Sequence, residues 1–262
     1  MDHAVALAAY DRQIRRDARS DSPGARVERG GGVVRQTGSA DDWNGVLWSD
    51  ADATTADAVI AEQVRHYTAA GLGFEWKLHS YDRPEDLPER LTAAGFAAEP
   101  LETVMVAEAA ALLAGPALPD GLRLVEVTDE AGARLMAQAH LAAFGAADAE
   151  LSERLGRRVL AQLAEAPDTV VAVVAMAGDL PVCAARAEFG QGTDFAGLWG
   201  GGTAPEWRGK GIYRATVAHR ARVAVERGYR YLQVDASADS RPILDRLGFT
   251  TLCTTTPYVY KP

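Results

Sequence analysis

Cysteine is nearly absent from this chain: only Cys183 and Cys253 occur among its 262 residues. Both sit among apolar or small neighbours and neither belongs to a C-x-x-C pair. They read as reduced, buried thiols, and no metal site is expected. Long apolar runs are missing too, none approaching the roughly 20 residues that cross a bilayer. Residues 1–20, MDHAVALAAYDRQIRRDARS, carry acids and arginines where a secretory leader needs an apolar stretch. Net positive charge is also lacking. A formal charge of -9 and a pI near 5.1 argue against a chain that grips nucleic acid through many phosphates. A soluble, cytoplasmic protein is expected, with neither a membrane nor a nucleic acid as partner.

Apolar residues, by contrast, make up 48% of the chain, enough for a sizeable core. Their pattern repeats. In residues 64–106 and again in 223–260 a helix ends at a glycine, Gly71 or Gly228, as a left-handed cap would. An aromatic-rich strand follows, FEWKLH or YRYLQVDA. A short polar helix start comes next, with Pro84 or Pro242 in its first turn. Each second helix then runs into Gly-Phe, at Gly95-Phe96 and Gly248-Phe249, before a last strand. The order and spacing predict two copies of one α/β half. The turn-rich segment AEAAALLAGPALPDGLRL separates a domain over residues 1–115 from one over 120–262.

In the second half, helices are expected over 129–145 and 149–166. Strands are expected in TVVAVVAMAG, LPVCAARAEFGQG and FAGLWGGGT, then a helix from about Arg208 and a strand over 229–236. Helices, an antiparallel meander and a β-α-β crossover give an α/β (α+β) fold: in each domain a mixed, mostly antiparallel sheet flanked by helices.

The chemistry concentrates in one stretch, GGGTAPEWRGKGIYRAT, residues 200–216. Three successive glycines in a strand mark a bulge or a close approach of another backbone. Just beyond, the start of a helix offers unpaired N–H groups and the positive end of its dipole. Gly209 and Gly211 leave those amides uncovered for an anion. Arg208, Lys210, Arg214, Arg220 and Arg222 reverse the sign of an otherwise acidic chain. A P-loop is excluded, because Lys210 is followed by Gly211 and no earlier glycine stands at the required place. The dinucleotide pattern is matched by Gly209 and Gly211, with Asp235 at a strand end, but its third glycine is Arg214 and the preceding strands read antiparallel.

From the strand LWGGGT to SRPILDRLGF the sequence resembles the GNAT superfamily of N-acetyltransferases. Its signature, Gln or Arg, two variable residues, Gly, one variable residue, then Gly or Ala, is carried by Arg208-Gly209-Lys210-Gly211-Ile212-Tyr213. The resemblance covers roughly residues 121–262, and the repeated pattern suggests a tandem member whose first copy is degenerate. It implies acetyl-CoA as donor. The pyrophosphate would lie on the amides of Gly209, Lys210, Gly211, Ile212 and Tyr213, with Arg208 near. The pantetheine arm would pair with the strand edge at Gly201, Gly202 and Thr203 like an added strand. It further implies direct attack by a primary amine in a ternary complex, with backbone N–H groups near residues 198–200 polarising the carbonyl.

This chain also departs from the family. Relatives often carry a glutamate near the position of Gly197 and a tyrosine acid near that of Leu244. The signature's last small residue is Tyr213, and the usual asparagine of the following turn appears as Ser237 or Ser240, of which Ser240 is a further donor-site candidate. Glu188, Asp194 and His219 are the available bases, Glu188 foremost, and Tyr213 could donate a proton to the departing thiolate.

In the first half, LWSDADATTADAVIAEQVRHY stands at the place of the motif, with Asp50, Asp52 and Asp57 instead of basic residues. Carboxylates there cap a helix but repel a pyrophosphate. The first domain is therefore expected not to bind CoA and instead to shape the acceptor cleft. Small amines, aminoglycosides, amino acids and protein lysines all stay open as acceptors, a small molecule being preferred over a protein. The oligomeric state is not legible, a homodimer being one form compatible with the sequence. Two other functions stay open: a catalytically silent acyl-CoA binding or sensing module, and a dinucleotide-binding oxidoreductase.

Overall fold

The computed structural model describes residues 1–145 and 149–262. Along the chain run α1 (His3–Tyr10), β1 (Arg26–Gly30), β2 (Val33–Thr37), β3 (Gly45–Ser49), α2 (Ala56–Ala69), β4 (Phe74–His79), α3 (Leu87–Ala93), β5 (Ala97–Ala98), β6 (Glu102–Glu108), β7 (Leu122–Glu126) and α4 (Glu130–Phe144). Then come α5 (Ala149–Glu165), β8 (Val170–Ala177), β9 (Leu180–Phe189), β10 (Phe195–Thr203), α6 (Ile212–Glu226), β11 (Tyr231–Ala236), α7 (Arg241–Leu247) and β12 (Thr250–Tyr260). They form two compact units, Met1–Val106 with Asp235–Pro262, and Ala107–Val234. The division is thus not a single cut in the linker: α7 and β12, last in sequence, pack within the first unit.

In the first unit the strand order is β1-β2-β3-β4-β12-β6, with β5 beside β12. Every pairing with a recorded register is antiparallel except β3 with β4. Residues 26–37 form a hairpin that turns at Gly31 and Gly32, both with positive φ. The core is aromatic: Phe74 stacks on Tyr67 at 4.1 Å and meets Phe96 edge-on, with Ile60, Trp76, Leu87 and Leu91 around them. Burial of Leu87 and Leu91, four residues apart on one helix face, sets the start of α3. Pro84 consequently lies in the preceding turn and Pro88 takes the first-turn place expected for it.

In the second unit the order is β11-β10-β9-β8-β7, antiparallel except for β10 with β11. The first seven residues of β8 are all buried, because helices cover both faces of the sheet. On one face Met136 and Ala139 of α4 and Val159 of α5 pack on Ala172, Val174 and Ala184. On the other, Ile212 of α6 packs with Ala175 and Cys183. The helices expected over 129–145 and 149–166 form within one residue of those bounds, but α6 starts at Ile212 rather than about Arg208. Gly209 at φ 75° and Gly211 at φ 84° hold the chain in left-handed backbone just before it. The fold class is as expected, the strands of each unit forming a mixed, mostly antiparallel array flanked by helices, and the doubly wound arrangement of a dinucleotide-binding domain is not formed.

Candidate functional site

In the second unit, parallel pairing of β10 with β11 runs from Phe195 opposite Tyr231 to Gly197 opposite Gln233 and stops there. Its antiparallel pairing with β9 slips between Trp199 and Gly202, where Gly200 has φ 58°. The glycine run is therefore a bulge, and beyond Gly197 the β11 side of β10 is left without its parallel partner. A short 3-10 turn, Pro205–Trp207, follows and leads to the glycines that start α6.

An added Cβ at Gly209 would meet nothing within 4 Å, and one at Gly211 only Arg214 Nη2 at 3.6 Å. Both glycines thus face open space. No side chain caps α6 and no acid stands in its first turn, so its leading amides point outward with the dipole's positive end. The site fits a pyrophosphate: it is a cradle that side chains would cover and that none of the described residues covers.

The basic residues divide their tasks. Arg208 donates from Nε to Thr203 O at 3.1 Å and from Nη2 to Ala143 O at 3.0 Å, so it braces the loop against β10 and the end of α4. Lys210 rests its ammonium over the Trp207 ring at 4.4 Å and stays exposed, as does Arg214. Ile212 is buried. The three strand residues also differ among themselves. A Cβ on Gly201 would stand 2.8 Å from Tyr213 Cε2, and one on Gly202 2.5 Å from Phe144 Cε2, while Thr203 Oγ1 donates to Cys183 Sγ at 3.3 Å. Gly201 and Gly202 are glycine because side chains of the unit press on them from opposite faces of the strand. Ser240 lies in the first unit at the start of α7, its hydroxyl bonded to Ser237.

Trp199 and Arg186 escaped the sequence reading. Gly197, where relatives place a carboxylate, is covered by the Trp199 indole: a Cβ there would be 2.5 Å from Nε1. Trp199 stands two residues on, hence on the same face, and that spacing was the available signal. Glu188, on β9 directly opposite Gly197, accepts from Arg186 Nε at 2.9 Å and lies 3.9 Å from Arg158 Nη2, with 15% of its side chain exposed. Arg186 interrupts the small-residue run CAARA and is nearly buried. Arg220 stands on the buried face of α6 among Thr216, Val217 and Ala221 and is 1% exposed. Its Nε donates to Thr216 O and its Nη1 to Arg186 O, both at 3.0 Å. Burial raises the Tyr213 phenol above its usual range, while the Arg220 charge pulls it down in part. His219, half-buried on α6, is held below the ordinary histidine range by burial and by Arg222.

The first unit repeats the geometry and fills it. Parallel pairing of β3 with β4 stops at Val46 opposite Trp76. The next carbonyl, Leu47 O, accepts from Arg15 Nε at 3.0 Å, and Arg15, 1% exposed, also pairs with Asp11 at 2.8 Å and Asp82 at 2.7 Å. Ahead of α2, the Asp52 carboxylate accepts from the Thr54 and Thr55 amides at 2.8 and 2.9 Å and from both their hydroxyls. Those hydrogen bonds bring its pKa down to about 2. Asp235, the candidate ribose ligand of a dinucleotide site, is instead ion-paired with Lys77, its side chain 2% exposed.

A parallel strand pair that parts, present in both units and lying beside a glycine-started helix in the second, decides the comparison. The fold is that of the GNAT N-acetyltransferases. A GCN5-related N-acetyltransferase from Kribbella flavida is similar over 99% of this chain and 96% of its own, with a TM-score of 0.68 and 16% identity. A tandem GNAT protein from the clavulanic acid biosynthesis pathway is similar over 99% and 94%, at 0.62 and 15%. A functionally unknown conserved protein from Staphylococcus epidermidis is similar over 90% and 94%, at 0.66 and 15%. No protein-family model matches the sequence, and no curated protein sequence does. Among the described residues no helix is long and apolar enough to cross a membrane.

Proposed function

We propose that the chain is an acetyl-CoA dependent N-acetyltransferase, acting through its second unit on a primary amine by direct attack. The open cradle at Gly209 and Gly211 carries this reading. The pyrophosphate is held on the first amides of α6, with Lys210 and Arg214 supplying nearby charge and Arg208 fixing the loop. The free edge of β10 around Gly201 and Thr203 takes the peptide-like pantetheine arm. N–H groups at the bulge, residues 198–200, polarise the acetyl carbonyl. Tyr213 is assigned the proton donor to the leaving thiolate, and Glu188 is the carboxylate nearest in register to Gly197.

The first unit is assigned no donor site, since Asp52 already fills the place of a phosphate and Arg15 holds the carbonyl that follows the last β3–β4 pair. A small-molecule amine is the proposed acceptor, and a cytoplasmic setting is proposed from composition alone. Titration of the purified chain with acetyl-CoA, CoA and NAD, followed by a thiol-release assay over an amine panel, tests the reading. Saturation by CoA but not NAD, with thiol release, supports it. Binding without release under any amine would favour the silent sensing module, for which the covered Gly197 is the motivating observation.

A further inference from the structure

Arg220 is a buried cation whose hydrogen bonds are incomplete. Two of its nitrogens are held by the carbonyls of Thr216 and Arg186, and Nη2, buried, has no hydrogen-bond partner. A buried donor left unpaired costs free energy comparable to a lost hydrogen bond, so such a group calls for a reason. Seven residues before it, and so on the same face of α6, stands Tyr213, its ring against Gly201 on the free stretch of β10. Between them Thr216 Oγ1 donates to Tyr213 O at 2.8 Å, tying that helical turn together. Arg220 favours the ionised form of the Tyr213 hydroxyl and Tyr213 in turn favours the charged guanidinium, while Nη2 closes no hydrogen bond. The other groups facing the pair are Cys183 and Arg186 of β9, and Cys183 stays a neutral thiol because burial raises its pKa.

We propose that Arg220 is the positioning residue for proton transfer from Tyr213 to the CoA sulfur, an inference that rests on the acetyltransferase reading. In that step the amine nitrogen bonds to the acetyl carbon, the carbon–sulfur bond breaks with its electron pair going to sulfur, and the Tyr213 hydroxyl gives its proton to that sulfur. The tyrosinate gains Arg220 Nη2 as a charged donor and is reprotonated from water, while the amine's surplus proton leaves to solvent. The unpaired N–H is thus held for a charge that exists only after the proton has moved.

A double-mutant cycle on the full chain tests this, reading thiol release from acetyl-CoA to water and to an amine panel, with acetyl-CoA affinity measured on the same proteins. Tyr213→Phe and Arg220→Met are each expected to lower turnover by about tenfold or more with affinity for acetyl-CoA kept within about threefold. The double variant should be no slower than Tyr213→Phe alone, because Arg220 acts only through that hydroxyl. Should Arg220→Met not fold, Arg220→Lys replaces it, with partial turnover in the wild-type background and none regained on Tyr213→Phe. Multiplicative losses in the double variant would overturn the inference and leave the acetyltransferase reading standing. A wild-type chain that binds acetyl-CoA but never releases thiol would overturn the inference and the catalytic reading together. One that does not bind would remove the donor site itself.

Discussion

The ring of Tyr213 occupies the space that a side chain on Gly201 would need, with Cε2 2.8 Å from where its Cβ would stand. The superfamily signature asks for a small residue at the place of Tyr213, and the bulk added there is matched by bulk withheld from the strand it faces. Gly201→Ala is therefore expected to cost about 1–3 kcal/mol of stability through overpacking. Tyr213→Ala in the same chain should recover most of that loss, as urea unfolding of the four proteins would show. Simple additivity of the two changes would contradict the contact.

Gly211→Val should weaken acetyl-CoA binding by more than tenfold, about 1.4 kcal/mol. The variant also costs stability, since φ 84° adds backbone strain of about 1–2 kcal/mol for any residue with a side chain. Gly178→Val separates the two effects. It has φ 59° in an open turn of the same unit, so it should lower stability similarly and leave affinity unchanged.

Asp52 makes stability depend on pH in a known direction. Its folded pKa of about 2 lies below the unfolded value of about 3.9. Its contribution is therefore complete above about pH 4 and is lost as pH falls through about 2. Asp52→Ala should lower the urea midpoint at pH 7, with the gap to wild type closing between pH 4 and 2. The same variant should gain no CoA site, because Arg15 still holds Leu47 O.

Glu188→Gln separates an ion-pair partner from a base. The carboxylate lies 2.9 Å from Arg186 Nε, so the variant leaves a nearly buried guanidinium with a neutral partner, at a cost of about 1–3 kcal/mol. Turnover per folded molecule should stay within about threefold. A loss of a hundredfold or more with unchanged acetyl-CoA affinity would instead identify Glu188 as the base.

Much of the second unit could be read from the sequence because its signals are local. The strand-breaking glycines 200–202, the pair Gly209 and Gly211, and the cap at Gly228 each act within a few residues. What escaped was set by pairings between distant parts of the chain. β12 pairs with β4 and β6 in the first unit, and nothing in TTLCTTTPYVY distinguishes that from pairing elsewhere. Arg15 filling the first cleft from 32 residues upstream of Leu47, and Arg220 bonding the backbone of Arg186, likewise depend on tertiary approach. The acidic start of α2, by contrast, was visible as a phosphate-repelling segment, and the geometry adds that Asp52 takes the amides itself.

Calorimetric titration of the intact chain with acetyl-CoA tests the central claim most directly. The account predicts one site per chain, weakened more than tenfold in Gly211→Val and retained in Asp52→Ala. Two sites per chain, or one site indifferent to Gly211→Val, would contradict it.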